Sequence, residues 1–390
     1  MQIFKPLLRR RIQAGALAAG TLWLAAVTAG SSSAAAAAAA VRDALPLKVL
    51  QWELGEFRPR DQLSAAAVAV LSESPLLLSA REAVALQASQ DPPATAPAAP
   101  EAEEEQITVP VEELSLDIPT TADNGVPAKT LLPTGPDGYT VCGRTYISNA
   151  TEYTLSPEAL HQPFVAEPTQ QGPQVLILHT HGSEAYTPAE EAGIVWSGNH
   201  RTTDCRYNVV GVGDVIAEVL GQAGISVLHD RTLYDYPSYS EAYDRALTAI
   251  EAHLAEYPSI QFVLDVHRDA VEDGQGNQYK VVSAMEGTGS AAQLTLVVGS
   301  DGSGLSHPDW MENLRLATAL QNKLLEQYPT LMRPILLRNS RYNQHATHGS
   351  LLLEVGAAGN APEEAALAGR LLAETFAEML QQQAEASAIP

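Results

Sequence analysis

The stretch "VLILHTHGSE" sets two histidines, His179 and His181, and a glutamate, Glu184, at the end of an apolar run that begins at Val175. "FVLDVHRD" brings Asp265, His267, Arg268 and Asp269 to the end of a second run, and "SLLLEVG" brings Glu354 to the end of a third. Two histidines and a carboxylate are a donor set of catalytic zinc, with a fourth position left open for water. Zinc in such a site polarises a carbonyl and brings water toward a neutral pKa. A further carboxylate near the metal, but not on it, would take the water's proton and pass it to a leaving amine. Glu354 follows three leucines, which set it against a dry wall where such a base could stand. A single strand-end histidine is more often structural, and Glu354 could instead pair with Arg268 or Arg341. Three apolar runs ending in the same kinds of residue favour a joint site over three separate accidents.

Those ends need strands and a sheet. From Gln174 onward, continuous apolar runs ("QVLILHTH", "ISVLHD", "IQFVLDVHRD", "QYKVVSAM", "AQLTLVVGSD", "RPILLR", "SLLLEVG") alternate with stretches of helical spacing. The helical stretches are "NVVGVGDVIAEVLGQAG", stopped at Gly224, then "SYSEAYDRALTAIEAHLAEYP", "HPDWMENLRLATALQNKLLEQY" and "APEEAALAGRLLAETFAEMLQQQ". Alternation of this kind predicts an α/β domain with a mostly parallel sheet flanked by helices. In such sheets, sites form at the carboxyl ends of the strands. The glycines of "GSDGSG" match no phosphate-binding loop. Trp310 reads as core, Asp269 as a residue that could orient a metal ligand, and His345 and His348 as residues of a loop ahead of the Glu354 strand.

The chain has 390 residues and a net charge of −23, which argues against nucleic acid as a partner. Its basic start, "MQIFKPLLRRRIQ", runs into residues 12–41, which carry no charge. About 20 apolar residues span a bilayer, so residues 1–41 read as a single-pass membrane anchor or a signal segment. Either puts everything after Arg42 outside the cell membrane. Residues 42–90 read as a short extracytoplasmic segment. Residues 91–135, with "DPPATAPAAPEAEEEQ", read as a Pro/Ala/acidic linker. Residues 136–170 lead into the catalytic domain, expected at 171–388. Cys142 and Cys205 allow one bridge or two free thiols.

The blocks "ILHTHGSEAY", "DVHRDA", "GSDGSGLSHPDWMENL" and "RYNQHATHGSLLLEVGAAGN" resemble those of the stage II sporulation protein P family, over about residues 170–385. That family is similar in turn to the zinc-dependent N-acetylmuramoyl-L-alanine amidases of the third amidase class. The resemblance implies an amidase-like fold, Zn2+ as cofactor and peptidoglycan as substrate during sporulation engulfment. It implies cleavage of the amide between muramic acid and L-alanine, and of peptide cross-links, beside a stage II sporulation protein D-type transglycosylase. By the same resemblance "THG" gives His181 as a metal ligand, "FVLDVHRD" gives His267, and "LEVGAAGN" gives Glu354 as the catalytic residue. The amidases carry their third ligand, a glutamate, just before the next helix. Here "CRYNVV" has no acid at that place, so Glu184 is the substitute, with His179 as its rival or as a supporting group. An extracytoplasmic zinc peptidase of other specificity and an inactive wall-binding protein are the alternatives. A hydrolase needs Glu354 and a binder does not.

Overall fold

The computed structural model describes residues 124–164, 171–189, 193–285 and 289–387. The expected anchor at 1–41, the segment at 42–90 and the linker as far as residue 123 lie outside the described residues. Among the described residues no helix is long and apolar enough to cross a membrane.

An eight-stranded sheet carries the molecule. Its strands are β2 (Thr140–Cys142), β3 (Thr145–Asn149), β4 (Val175–Leu178), β5 (Val227–His229), β6 (Phe262–Asp269), β9 (Leu294–Val298), β10 (Ile335–Leu337) and β11 (Gly349–Ala357), in the spatial order β2-β3-β10-β9-β11-β6-β4-β5. The strands β11, β6, β4 and β5 all run parallel. The sheet as a whole is mixed, which corrects the expectation of a mostly parallel one. β9 enters antiparallel to β11, and β10 and β3 follow its direction. β2 then folds back on β3 as a hairpin. A second, three-stranded sheet pairs β1 (Ala128–Lys129) parallel to β7 (Lys280–Met285), and β7 antiparallel to β8 (Gly289–Ala292). Apolar runs that are covered on both faces look alike in either direction, so the reversal at β9 leaves no local mark in the sequence.

Side chains alternate across a sheet, and each face has its own cover. Val175 and Ile177 of β4, Leu264 and Val266 of β6, and Leu351 and Leu353 of β11 point to one side. There they meet α2 (Val209–Gln222), α4 (Trp310–Gln327) and α5 (Pro362–Ser387). Leu176, Leu178 and Val263 point to the other side, against Ala246 and Ile250 of α3 (Ala242–Glu256). A short helix, α1 (Pro157–Leu160), packs at the β2 edge. Helix α2 starts where Asn208 accepts a hydrogen bond from Val210 N, and α5 starts on Pro362, whose missing N–H costs nothing at that position.

The expected domain start at 171 cuts through this packing, because β1, β2 and β3 pair ahead of it. β1 falls inside the stretch expected to be linker. Thr130 donates to Val282 O at 2.6 Å, and Leu131 N donates to Gln293 Oε1 at 2.8 Å. Asn124 Oδ1 accepts from the buried Lys280 ammonium at 3.2 Å, and Lys280 Nζ also lies 3.3 Å from Glu364 Oε1. Asn360 Nδ2 donates to the other oxygen of Glu364 at 2.9 Å. A buried ion pair is costly to strip of its partners. A chain beginning at residue 136 should therefore melt lower than one beginning at residue 124. The buried hydrogen bonds lost add up to roughly 2–4 kcal/mol, or about 5–15 °C for a domain of this size. Calorimetry on the two chains checks it, and equal melting temperatures would make residues 124–135 dispensable.

Candidate active site

Parallel pairing in register places the three strand ends together. Leu178 of β4 lies opposite Asp265 of β6, and His267 of β6 lies opposite Glu354 of β11. Asp265, His267 and Glu354 share the parity of Val263 and Leu352, so they project from the α3 side of the sheet. β11 breaks register between Glu354 and Ala357, where Gly356 takes φ +70°. Only glycine adopts that conformation at no cost, and a Cβ there would lie 2.8 Å from the Ala292 Cβ. The bulge ends regular pairing just past Glu354.

His267 is buried between two carboxylates. Its Nε2 lies 2.9 Å from Asp265 Oδ1, and its Nδ1 lies 3.6 Å from Glu184 Oε2. Asp265 also accepts from Thr180 N at 2.8 Å and Thr180 Oγ1 at 2.6 Å. Burial pushes the Asp265 carboxyl up, but the His267 charge and these donors outweigh it, and its pKa falls below the ordinary value. Burial alone would lower His267. Asp265 first, then Glu184 and Glu354, reverse that and raise it to about 10.

Glu184 reaches the same place from the loop after β4. Its Oε2 accepts from Arg268 N at 3.1 Å, and Arg201 Nη2 lies 3.8 Å from its Oε1. Its backbone O accepts from Val209 N at 3.0 Å, so this glutamate sits against the first turn of α2. Burial raises its carboxyl above the usual value, against the pull of Arg268, His267 and Arg201. His181 lies edge-on to His267, with ring centroids 5.3 Å apart. Burial, then the His267 charge, hold its pKa well below the ordinary imidazole value, so it is neutral. Its Nδ1 is buried without a hydrogen-bond partner.

Glu354 is partly exposed as a residue, yet its Oε2 is shut off from solvent and has no hydrogen-bond partner. Burial is the main cause that lifts its pKa to about 8. The nearby Asp269 and Glu184 charges add to this, and His267 and Arg268 oppose it. The alternative of an ion pair with an arginine is not what the fold makes. Arg268 donates to Ala185 O and His200 O, and Arg341 to Ser306 O.

His179 goes to the opposite face. Its Nδ1 lies 3.0 Å from Val266 O and its Nε2 lies 2.9 Å from His229 Nε2. Both nitrogens are thus engaged away from His181 and His267. Helix α2 covers the pair at Gly213, where a Cβ would stand 2.6 Å from each Nε2. Asp269, read as a ligand-orienting residue, is instead bound to Arg333 at 2.6 Å. Asp265 holds His267, and the signal for it was the two-residue spacing that puts both on one strand face. Arg201, Asp235 and Tyr239 also reach this site and carry no motif that would have marked them. Trp310 is core, His345 packs against His307 and His348 meets Asp309 at 3.4 Å. Cys142 and Cys205 are free thiols.

Among the described residues no group of three or more His, Cys, Asp or Glu side chains stands ready-made around a metal position. The donors nonetheless suit zinc. Ligand bonds of about 2.0–2.2 Å set two donors on one tetrahedral zinc about 3.3–3.6 Å apart, and His267 Nδ1 and Glu184 Oε2 are 3.6 Å apart. The unpartnered His181 Nδ1 is a third donor, already in the neutral form a metal takes, whereas His267, raised to about 10, would release its Nδ1 proton on binding a metal.

The raised pKa values predict how the metal-free chain responds to pH. Glu354 keeps its proton to about pH 8 when folded but loses it near 4.5 when unfolded. His267 keeps its proton to about 10 when folded, against 6.5 unfolded. Through both windows these two groups bind more protons when folded, so their contribution to stability falls as pH rises. Below about pH 6.5 the histidines His179, His181, His307 and His345, held neutral by burial, contribute with the opposite sign. Metal-free protein should therefore melt at steadily lower temperature from pH 7 to pH 10. Glu354→Gln should flatten the part below pH 8 and leave the part above it. Melting curves across that range check this, and a rise in stability between pH 7 and pH 10 would contradict the burial assigned to these groups.

The sequence pattern of the family described as stage II sporulation protein P (SpoIIP) matches residues 83–377. The "Stage II sporulation protein P" of Bacillus subtilis (strain 168) is 28% identical over 218 residues, 53% of this chain and 50% of that protein. The chain thus spans about half the length of this curated relative. Two solved structures are N-acetylmuramoyl-L-alanine amidases. AmiC2 of Nostoc punctiforme is 15% identical, with a TM-score of 0.32 over 55% of this chain and 97% of that one. The amidase from Clostridium difficile 630 is also 15% identical, with a TM-score of 0.34 over the same shares, 55% and 97%. Likeness this distant assigns no residue a role. With the family pattern running from residue 83 to residue 377 of 390, the chain belongs to the stage II sporulation protein P family.

Proposed function

We propose that this chain is a zinc-dependent peptidoglycan hydrolase of sporulation that cuts the amide between N-acetylmuramic acid and L-alanine, and peptide cross-links besides. One observation carries the reading. Two buried polar atoms, His181 Nδ1 and Glu354 Oε2, are left without hydrogen-bond partners on either side of His267, whose own Nε2 is held by the Asp265 charge at 2.9 Å and by no hydrogen bond. Unsatisfied buried groups cost about 1–3 kcal/mol each, and a site that binds and transforms something is where such a cost persists. Membership of the sporulation family supports the substrate class.

In this reading His181, Glu184 and His267 hold the metal, and Glu354 stands beside it as the catalytic residue. Zinc, when bound, supplies a Lewis acid that polarises the amide carbonyl and acidifies water. Asp265 fixes the His267 ring through Nε2, which leaves Nδ1 facing Glu184. Glu354 Oε2 accepts a proton from the attacking water and delivers it to the departing L-alanine nitrogen, as a base and then an acid. Its high pKa suits both halves of that task, and any cation added beside it favours the ionised form. Residues 171–388 would hold the catalytic machinery, and residues 1–41 would anchor it as a single pass in the cell membrane. Residues 42–123 would space the extracytoplasmic domain from the bilayer. A stage II sporulation protein D-type transglycosylase would be its partner on the same wall.

Zinc titration of the protein on purified sacculi, with mass spectrometry of the released ends, tests the activity. New L-alanine amino termini and intact glycan strands are expected, and no zinc-dependent release would sink the proposal. Glu354→Gln should keep zinc and substrate binding while kcat falls ~10²–10⁴-fold with KM little changed. His181→Ala or His267→Ala should lose zinc, read by elemental analysis, along with activity. If Glu354 were itself a ligand, Glu354→Gln would lose zinc as well. An active, zinc-replete Glu354→Gln protein would remove Glu354 from the chemistry.

A further inference from the structure

Two of the three donors have visible supports. Asp265 grips His267 by Nε2, and Arg268 N with Arg201 holds Glu184. Among the described residues no carboxylate hydrogen-bonds to His181. What it has is Tyr239, on the loop between β5 and α3. The two rings stack with centroids 4.5 Å apart and planes 13° from parallel, and the Tyr239 hydroxyl oxygen lies 3.2 Å from His181 Nε2. Tyr243 closes on the same imidazole edge-on at 5.4 Å.

Tyr239 is itself braced. The Arg201 guanidinium lies over its ring, Cζ 4.7 Å from the centroid. Arg201 Nη1 donates to Asp235 Oδ2 at 2.7 Å, and Asp235 accepts from Ser183 N at 3.0 Å and from the Ser183 hydroxyl. Ser183 stands between His181 and Glu184 in the chain. One arginine therefore touches Glu184 directly and His181 through a tyrosine, and it is pinned by a carboxylate bound to the backbone between them. Tyr239 is 39% exposed, so burial of its own surface does not explain this placement.

We infer that Tyr239, braced by Arg201, is a positioning residue that turns His181 so that Nε2–H meets the Tyr239 oxygen and Nδ1 faces the metal. It does for His181 what Asp265 does for His267. Both imidazoles then present the same nitrogen, Nδ1, to the site, and each is held behind by a partner at Nε2. This rests on the zinc reading of the site. Partners of this kind usually change metal affinity 10–100-fold.

The test is metal binding by the full chain in detergent, without reference to turnover. Zinc affinity is read by competition with a chelating dye, Co2+ uptake by its visible absorption bands, and folding by the melting temperature of the metal-free protein. Tyr239→Phe keeps the stack and removes the oxygen. It should bind zinc at least ~10-fold more weakly, with shifted Co2+ bands and an unchanged metal-free melting temperature. Arg201→Lys keeps a positive charge near Glu184 but loses the planar group over the ring, and should weaken zinc in the same direction. Wild-type affinity and an unchanged Co2+ spectrum in Tyr239→Phe would overturn the inference while leaving the zinc site standing. A lowered metal-free melting temperature with wild-type affinity would make Tyr239 structural only, which also overturns it. A wild-type chain that takes up neither ion would overturn the zinc reading and this inference together.

Discussion

The contact between Asp265 and His267 is the constraint around which the site is arranged. Both are buried, both sit on β6 two residues apart, and 2.9 Å separates them. Burying either charge alone would cost several kcal/mol, and each makes the other tolerable. Asp265 is also tied to the backbone of Thr180, the residue before His181. The carboxylate that orients one imidazole thus anchors the chain that carries the other.

The rest of the sheet holds that contact in place. β6 lies between β11 and β4, with parallel pairing to both, so its side chains cannot slip by one residue without turning Asp265 and His267 to the wrong face. The apolar partners that fix the register are on the far side. Phe262 meets Phe376 of α5 edge-on at 5.3 Å, and Val266 lies under the same helical cover. Removing a buried Phe typically costs about 3–5 kcal/mol, so the packing that sets the register is far stronger than any single polar contact in the site. Val266 O also receives His179, which links the helical face to the strand between the two charged residues.

The strands, the helices and the edge where the ionisable residues gather were legible because continuous apolar runs and helical spacing are strong local signals. Glu184 was marked by its place in the "HTHGSE" block and by the resemblance, and its carbonyl bound to Val209 N sets it against the first turn of α2. The face of each residue was not legible. Val175–Leu178 is apolar throughout, so nothing in it says that His179 continues the Ile177 face toward α2 while Thr180 turns toward Asp265. The reversal at β9 was hidden for the same reason. Contributions from β1 were hidden because two strand residues in a Pro- and acid-rich stretch carry no period at all. Arg201, Asp235 and Tyr239 were missed because they come from loops, where position depends on tertiary contacts and not on spacing.

The same burial that makes the site expensive also sets its chemistry. Asp265 is compensated by two hydrogen-bond donors and the His267 charge and stays ionised, whereas Glu354, on the neighbouring strand and the same face, has a buried oxygen with no donor and holds its proton to about pH 8. Two carboxylates a strand apart are thereby driven to different protonation states near neutral pH, one fit to orient and one fit to exchange a proton. The bulge at Gly356 keeps them different. It breaks the β11–β6 pairing just beyond Glu354, while Asp265 stays inside the regular ladder opposite Leu352. If the proposed metal binds, a cation satisfying His181 Nδ1 and lying near Glu354 would remove desolvation cost from the folded state alone. Binding and folding would then be linked, and the groups that destabilise the bare fold would supply the drive to bind.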